Sequence, residues 1–161
     1  MRSLPLNTNE DDYVSLSFKK VFSGLSVIML LTMGGGLSVF ALEMMFNTSG
    51  SFGTILFSGV IVGTLLVCIP NGMIVIHGLA FFSKWNVYNC AFQLGVNVTW
   101  FIFSGLADWP LHVVSILFPS LCVLALRSTS YKEFVEYYYH LQTNRRNERK
   151  ALKSAVERLK K

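Results

Sequence analysis

Apolar residues in this chain come in blocks rather than in alternation. Long apolar runs cover 21-46, 52-82, 87-107 and 111-126. A helix needs about 20 apolar residues to cross a bilayer, within a range of about 17 to 25. The first three runs meet this length, and the second exceeds it enough to tilt, kink or protrude. The fourth is slightly short and gains length from Asp108–Pro110 or from Arg127 onward. The breaks Asn47–Ser51, Ser83–Asn86 and Asp108–Pro110 are so short that successive helices must run antiparallel.

Past Arg127 the chain turns polar. Ser130, with Glu133 three residues later, has the pattern of a capping box, which opens a helix running toward Lys161. The first half of that helix is aromatic, with Tyr131, Phe134, Tyr137, Tyr138 and Tyr139. From Asn144 to Lys161 it holds eight basic residues and two acidic ones. Leu152, Val156 and Leu159 recur at four and three residues and therefore share one face. The pattern predicts an all-α fold: a cytoplasmic N-terminal segment 1-20, an integral membrane four-helix bundle over 21-127, and a cytoplasmic basic amphipathic C-terminal helix over 128-161.

Composition supports the membrane reading. Of 161 residues, 52% are hydrophobic and 14% charged, whereas an average soluble domain has about a quarter of its residues charged. Cys68, Cys90 and Cys122 all lie within apolar runs, in a spacing that fits no metal motif, so they read as unpaired small hydrophobes. The first run is too long for the apolar core of a cleaved signal peptide, and Glu10-Asp11-Asp12 is the wrong charge in front of it.

The formal charge of +5 is topological in origin. With four spans, one side of the membrane receives Arg2, Lys19, Lys20, Lys84, Arg127, Lys132 and the basic tail, which is all 14 Lys and Arg. The other side receives Glu43 and Asp108. Basic residues mark the cytoplasmic side, so both termini are expected there. Trp85 and Tyr88 then sit at the inner interface and Trp109 at the outer one. Asn47-Thr48-Ser49 and Asn97-Val98-Thr99 match the glycosylation pattern by chance, the second in mid-membrane.

Several groups stand out inside the spans. Asn89, Gln93 and Asn97 are spaced by four, drifting ~40° per step around a helix, with Asn86, Trp100 and Ser104 in the same arc. Amides facing lipid would be left unpaired, so this stripe must face protein or a hydrated cavity. Pro70 predicts a kink in the second span, and Asn71 can serve the backbone groups that it frees. Counting 13 residues to either side of Lys84 places Asn71 at the depth of Asn97 and predicts that it meets Asn97 or Gln93. Gly34, Gly35 and Gly36 lie at a similar depth on the first span. Gly59 and Gly63 form a GxxxG pattern, which opens a groove for a second backbone within the bundle or in a homo-oligomer. His77 and His112 lie at opposite membrane faces and cannot share a metal. Asp108 and Pro110 suit the start of the fourth helix.

No catalytic motif is present: no G-x-S-x-G, H-E-x-x-H or P-loop, and no intramembrane carboxylate pair. A non-enzyme without cofactor or metal is expected. The outer loops offer almost no surface, so recognition must occur in the bilayer or in the cytoplasm. The C-terminal helix is the largest cytoplasmic feature. Its expected partners are a soluble protein, through Phe134, Tyr138, Leu141, Arg145, Arg146, Arg149, Leu152, Val156 and Leu159, and membrane lipid. Direct nucleic-acid contact is not expected, since no recognisable fold accompanies the charge.

This layout of four spans, minimal outer loops and a basic cytoplasmic helix resembles the membrane subunit of Kiwa-type bacterial antiphage defence systems. The resemblance is one of layout and not of a residue motif. It implies an oligomeric inner-membrane sensor of infection that docks a soluble, DNA-associated effector. Two alternatives share the layout. An immunity protein against a membrane-targeted toxin would act within the bilayer and would not need the tail. A small channel would need Asn89, Gln93 and Asn97 to face a hydrated path around an oligomer axis.

Overall fold

The computed structural model describes residues 17–46, 52–104 and 109–159. These form five α-helices: α1 (Phe18–Phe46), α2 (Phe52–His77), α3 (Ser83–Ser104), α4 (Trp109–Arg127) and α5 (Thr129–Leu159). A single 3-10 turn at Ala80–Phe82 precedes α3. There is no strand among the described residues. The chance match to the glycosylation pattern at Asn47 and the expected cap at Asp108 fall outside them.

α1 is the central helix. It packs against α2, α3 and α4, and α3 packs closely on α4 and more lightly on α2. α5 lies against the ends of α1 and α2. Three of the helices, Phe18–Phe46, Leu56–His77 and Trp109–Arg127, are long and apolar enough to cross a membrane. α3 has the length but carries Asn86, Asn89, Gln93 and Asn97, which lower its hydropathy.

The packing is inside-out relative to a soluble domain. Asn86, Asn97 and Ser115 are fully buried, while Ile102 is 71% and Phe103 77% exposed. Phe57, Val60, Leu65, Ile69, Phe92, Leu117 and Leu124 are also exposed. So broad an apolar exterior is uncommon in a protein that meets only water, and it matches helices that meet lipid. The buried core is correspondingly modest in side-chain size: Val27, Leu31, Val67, Ile74, Cys90, Cys122 and Leu126, continued by Tyr131, Phe134 and Val135 of α5.

Two turns differ from the sequence expectation. The second apolar run continues to Phe82, but α2 stops at His77 because Gly78 adopts φ +66°. Its N–H bonds to Ile74 O at 2.9 Å, and Leu79 N–H reaches back to Met73 O at 3.2 Å, which satisfies carbonyls at the helix end. The apolar residues Leu79–Phe82 therefore belong to the turn, and α3 begins at Ser83, four residues before the expected Val87. The second difference is at α5. Its capping hydroxyl is Ser128, which accepts the Tyr131 N–H at 3.2 Å, and not Ser130. Glu133 does not close a capping box but pairs with Lys20 of α1 at 3.5 Å.

Candidate functional site

The polar residues of α3 face inward along its whole length and hold three different neighbours. At the end nearest α5, Asn86 and Asn71 of α2 exchange amide hydrogen bonds. Asn86 Nδ2 donates to Asn71 Oδ1 at 3.0 Å, and Asn71 Nδ2 donates to Asn86 Oδ1 at 3.5 Å. Asn71 also donates to Val67 O at 2.8 Å, next to the carbonyl released by Pro70. Asn86 has a second acceptor, the Tyr131 hydroxyl of α5, at 3.0 Å. This linkage joins α2, α3 and α5 through groups that are all buried.

In the middle of α3, the partner is α1. Gln93 Nε2 donates to Leu31 O at 3.0 Å and to Asn89 Oδ1 at 3.2 Å. Asn97 Nδ2 donates to Ser38 Oγ at 3.0 Å, and Ser38 in turn donates to Gly34 O. A Cβ on Gly34 would overlap Gln93 Oε1, so the missing side chain is what admits the glutamine. At the far end the partner is α4. Ser104 Oγ and His112 Nε2 lie 2.7 Å apart, with the imidazole packed against Trp100 and Phe101. Ser104 Oγ also reaches Trp100 O, at 2.8 Å. The pair links α3 to α4.

Each expected member of the intramembrane layer can now be placed. Gln93 and Asn97 bond to α1, while Asn89, half-buried, accepts from Gln93 on its own helix. The expected contact of Asn71 with Asn97 or Gln93 is not formed, since its partner is Asn86. The reason is the turn. Asn71 and Asn86 are 15 residues apart, so the hairpin is centred at Gly78–Leu79 and not at Lys84. Five buried atoms, Glu43 Oε2, Asn89 Nδ2, Gln93 Oε1, Asn97 Oδ1 and His112 Nδ1, have no hydrogen-bond partner among the described residues. Glu43, expected at the outer boundary, is buried.

The glycines divide sharply. A Cβ on Gly34 or Gly59 would collide, the latter with Val39 Cγ1 of α1 at 2.5 Å. Gly35 would make an ordinary contact with Gln93 at 3.5 Å, while Gly36 and Gly63 have nothing within 4 Å. The GxxxG groove of α2 is thus half used within the chain, at Gly59, and open at Gly63.

α5 is mounted across the ends of the other helices. Phe134 lies on Gly24 of α1, where a Cβ would come within 2.6 Å of its ring. Tyr138 and Gln142 lie on Gly78, and Gln142 Nε2 donates to Val75 O at 3.0 Å. Arg146 donates to His77 O at the edge of α2. Beside Tyr131 a cavity of about 340 Å³ is lined by Lys84, Val87, Leu126 and Lys132. Burial pushes the Tyr131 phenol up to about 12, against the opposing effect of the Asn86 hydrogen bond. Of the residues expected to bind a partner, Phe134, Tyr138 and Arg146 are wholly or partly taken up in this mounting, and Leu141 is half-buried. From Asn144 to Leu159 every residue is exposed, including Arg145, Arg149, Leu152, Val156 and Leu159.

Sequence reasoning missed Tyr131 as a structural anchor and Asn86 as the pivot of the linkage, although both stand beside residues that it singled out. The available signal was Gly78 directly after a helical pattern, a common helix stop, which would have moved the hairpin centre and brought Asn86 opposite Asn71. No metal-binding cluster occurs among the described residues. Comparison with protein families, curated proteins and solved structures gives no match.

Proposed function

We propose that this chain is a non-enzymatic inner-membrane anchor and sensor. α1 to α4 span the bilayer, both termini lie in the cytoplasm, and α5 holds a soluble effector, in the manner implied by the resemblance to Kiwa-type antiphage membrane subunits. α3 serves as the fourth span. At 22 residues it is about 33 Å long. Its amides are turned inward, so it offers Phe92, Val98, Ile102 and Phe103 to lipid.

The orientation draws on where the basic residues fall in three dimensions. The start of α1 meets α5 through Lys20 and Glu133, the start of α3 through Asn86 and Tyr131, and the end of α2 through Val75 and Gln142. α4 ends directly before α5. The described Lys and Arg residues all lie at this end or on α5 itself, which supports a cytoplasmic location for it. Oligomerisation belongs to the same proposal. Gly63 leaves a small-residue surface on the exposed side of α2 for a second copy to approach.

One observation carries the sensor reading: the Asn71–Asn86–Tyr131 linkage. A change in the packing of α2 against α3 within the bilayer alters the acceptor and donor set that seats α5. This bonded linkage supports a coupling between the packing of the spans and the seating of α5.

The test is purification from native membranes in mild detergent, comparing the full chain with one ending after Thr143. That position spares Tyr131, Phe134 and Gln142, which the fold needs. A stoichiometric soluble protein present with the full chain and absent from the truncated one supports the reading. A defined oligomer with no soluble partner in either form overturns the effector part of it.

A further inference from the structure

The exposed half of α5 is not uniformly basic, and its asymmetry has a direction. At about 100° per residue, Tyr131, Val135, Tyr138 and Gln142 fall within about 80° of one another. These are the residues that α5 turns toward the packed helices. Arg145, Arg149, Lys153 and Val156 fall within the same 80°, about four turns farther along. Leu152 and Leu159 flank them on the side of Phe134, and Arg146 and Lys150 on the other. Of the six basic residues between Asn144 and Leu159, only Arg158 lies on the far side, with Asn144, Asn147, Glu148, Ala151 and Ala155. Glu157 is the one acidic residue near the basic side.

The same face therefore changes character where it leaves the protein. Under α1 and α2 it is aromatic, and it is buried. Beyond Arg146, which bonds to the last carbonyl of α2, it becomes basic and aliphatic and is exposed. Leu152 is 66% and Leu159 86% exposed. On the proposed spanning arrangement, what lies beyond the edge of α2, at the level of the helix ends, is the inner surface of the bilayer. We propose that residues 144–159 of α5 lie on that surface and bind anionic phospholipid, with Arg145, Arg149 and Lys153 on headgroup phosphates and Leu152, Val156 and Leu159 among the upper acyl carbons. A helix whose aliphatic residues adjoin its basic ones can lie in that plane, because arginine and lysine stems run along the apolar surface while their charged ends reach the phosphates. The proposal rests on the reading of α1–α4 as spans. It leaves the opposite side, with Ala151, Ala155 and Arg158, for the soluble effector.

The experiment is amide hydrogen exchange on the full chain in nanodiscs of phosphatidylcholine alone and of phosphatidylcholine with phosphatidylglycerol. Residues 144–159 should exchange more slowly in the anionic discs, and raised salt should reverse the slowing. Arg149→Gln with Lys153→Gln should remove most of it, roughly tenfold or more for two surface charges. Arg158→Gln, on the far side, should leave it unchanged. Equal exchange in both discs, or equal loss from Arg158→Gln, overturns the proposal. So does slowing that appears only when a soluble protein is added. Failure of the spanning reading looks different, because amides of α1 to α4 would then exchange freely in both discs.

Discussion

The side chain of Asn86 on α3 donates a hydrogen bond to the hydroxyl of Tyr131 on α5 at 3.0 Å, and both groups are buried. Asn86 has two amide hydrogens and uses the other on Asn71. The contact therefore completes a satisfied donor and does not add to a surplus, so removing it strands a buried N–H.

Tyr131→Phe tests this contact at nearly constant volume. The expected loss of stability is about 0.5–2 kcal/mol, read from denaturant titration in detergent. A pH signature accompanies it. Burial raises the Tyr131 phenol from 10.0 to about 12, so the folded state holds its proton where the unfolded state has released it. The stabilising effect is complete below pH 10 and is lost as pH rises through 12. The stability curve of the native chain should fall more steeply between those values than that of Tyr131→Phe. Parallel curves would show that the phenol is not held in its neutral form.

Gly34 and Gly36 make a matched pair on one helix. A methyl group at Gly34 displaces Gln93 and strains its bond to Leu31 O, whereas one at Gly36 enters open space. Gly34→Ala should cost about 1–3 kcal/mol. Gly36→Ala should be neutral or slightly stabilising, since alanine favours helix. Equal effects in the same titration would contradict the placement of Gln93.

These glycines also show what the sequence could and could not convey. The three apolar helices and the inward stripe of α3 were legible because both follow from the cost of leaving polar groups in an apolar setting, which is a property of each residue and its spacing. Which of Gly34, Gly35 and Gly36 meets a neighbour depends on how α1 is rotated against α3, and three adjacent identical residues carry no signal for that. The sequence pattern turns Asn71 inward, but the turn sets it against Asn86 and not Asn97. The apolar residues Leu79–Phe82 concealed a turn that one positive-φ glycine determines. Ser130 and Ser128 are equally good caps by type, and the helix began at the nearer one to Arg127. In the basic tail, charge was legible as composition. The division of that charge between two sides became informative only once the mounting of Tyr131 and Phe134 gave the helix an orientation.

Gly24→Ala addresses the mounting itself. The ring of Phe134 occupies the place of the new methyl group, and it is flanked by Tyr131 and Tyr138 at centroid distances of 6.2 and 5.0 Å. A ring held on both sides cannot yield freely, so α5 should lift from α1. Amide exchange across residues 131–142 should rise severalfold, while the middle of α3, held by Gln93 and Asn97, should keep its protection. Unchanged exchange across 131–142 would mean that Phe134 yields without disturbing the helix.

Trypsin provides the most direct test of orientation, because it cuts only after Lys and Arg. If α1 to α4 span the bilayer as proposed, every such residue lies on the cytoplasmic side. Trypsin added to spheroplasts should then leave the chain whole. In inverted vesicles the same protease should remove the exposed part of α5, where Arg145, Arg149, Lys150, Lys153 and Arg158 lie. Cutting should slow near Lys132, which stands on the seated half of the helix, and Lys20, paired with Glu133, should be slower still. Mass spectrometry of the membrane-retained fragment reads out both steps. Cleavage from the outside alone would reverse the orientation. Cleavage in both preparations would mean that the bilayer shields neither side, and the spanning arrangement would fall with it.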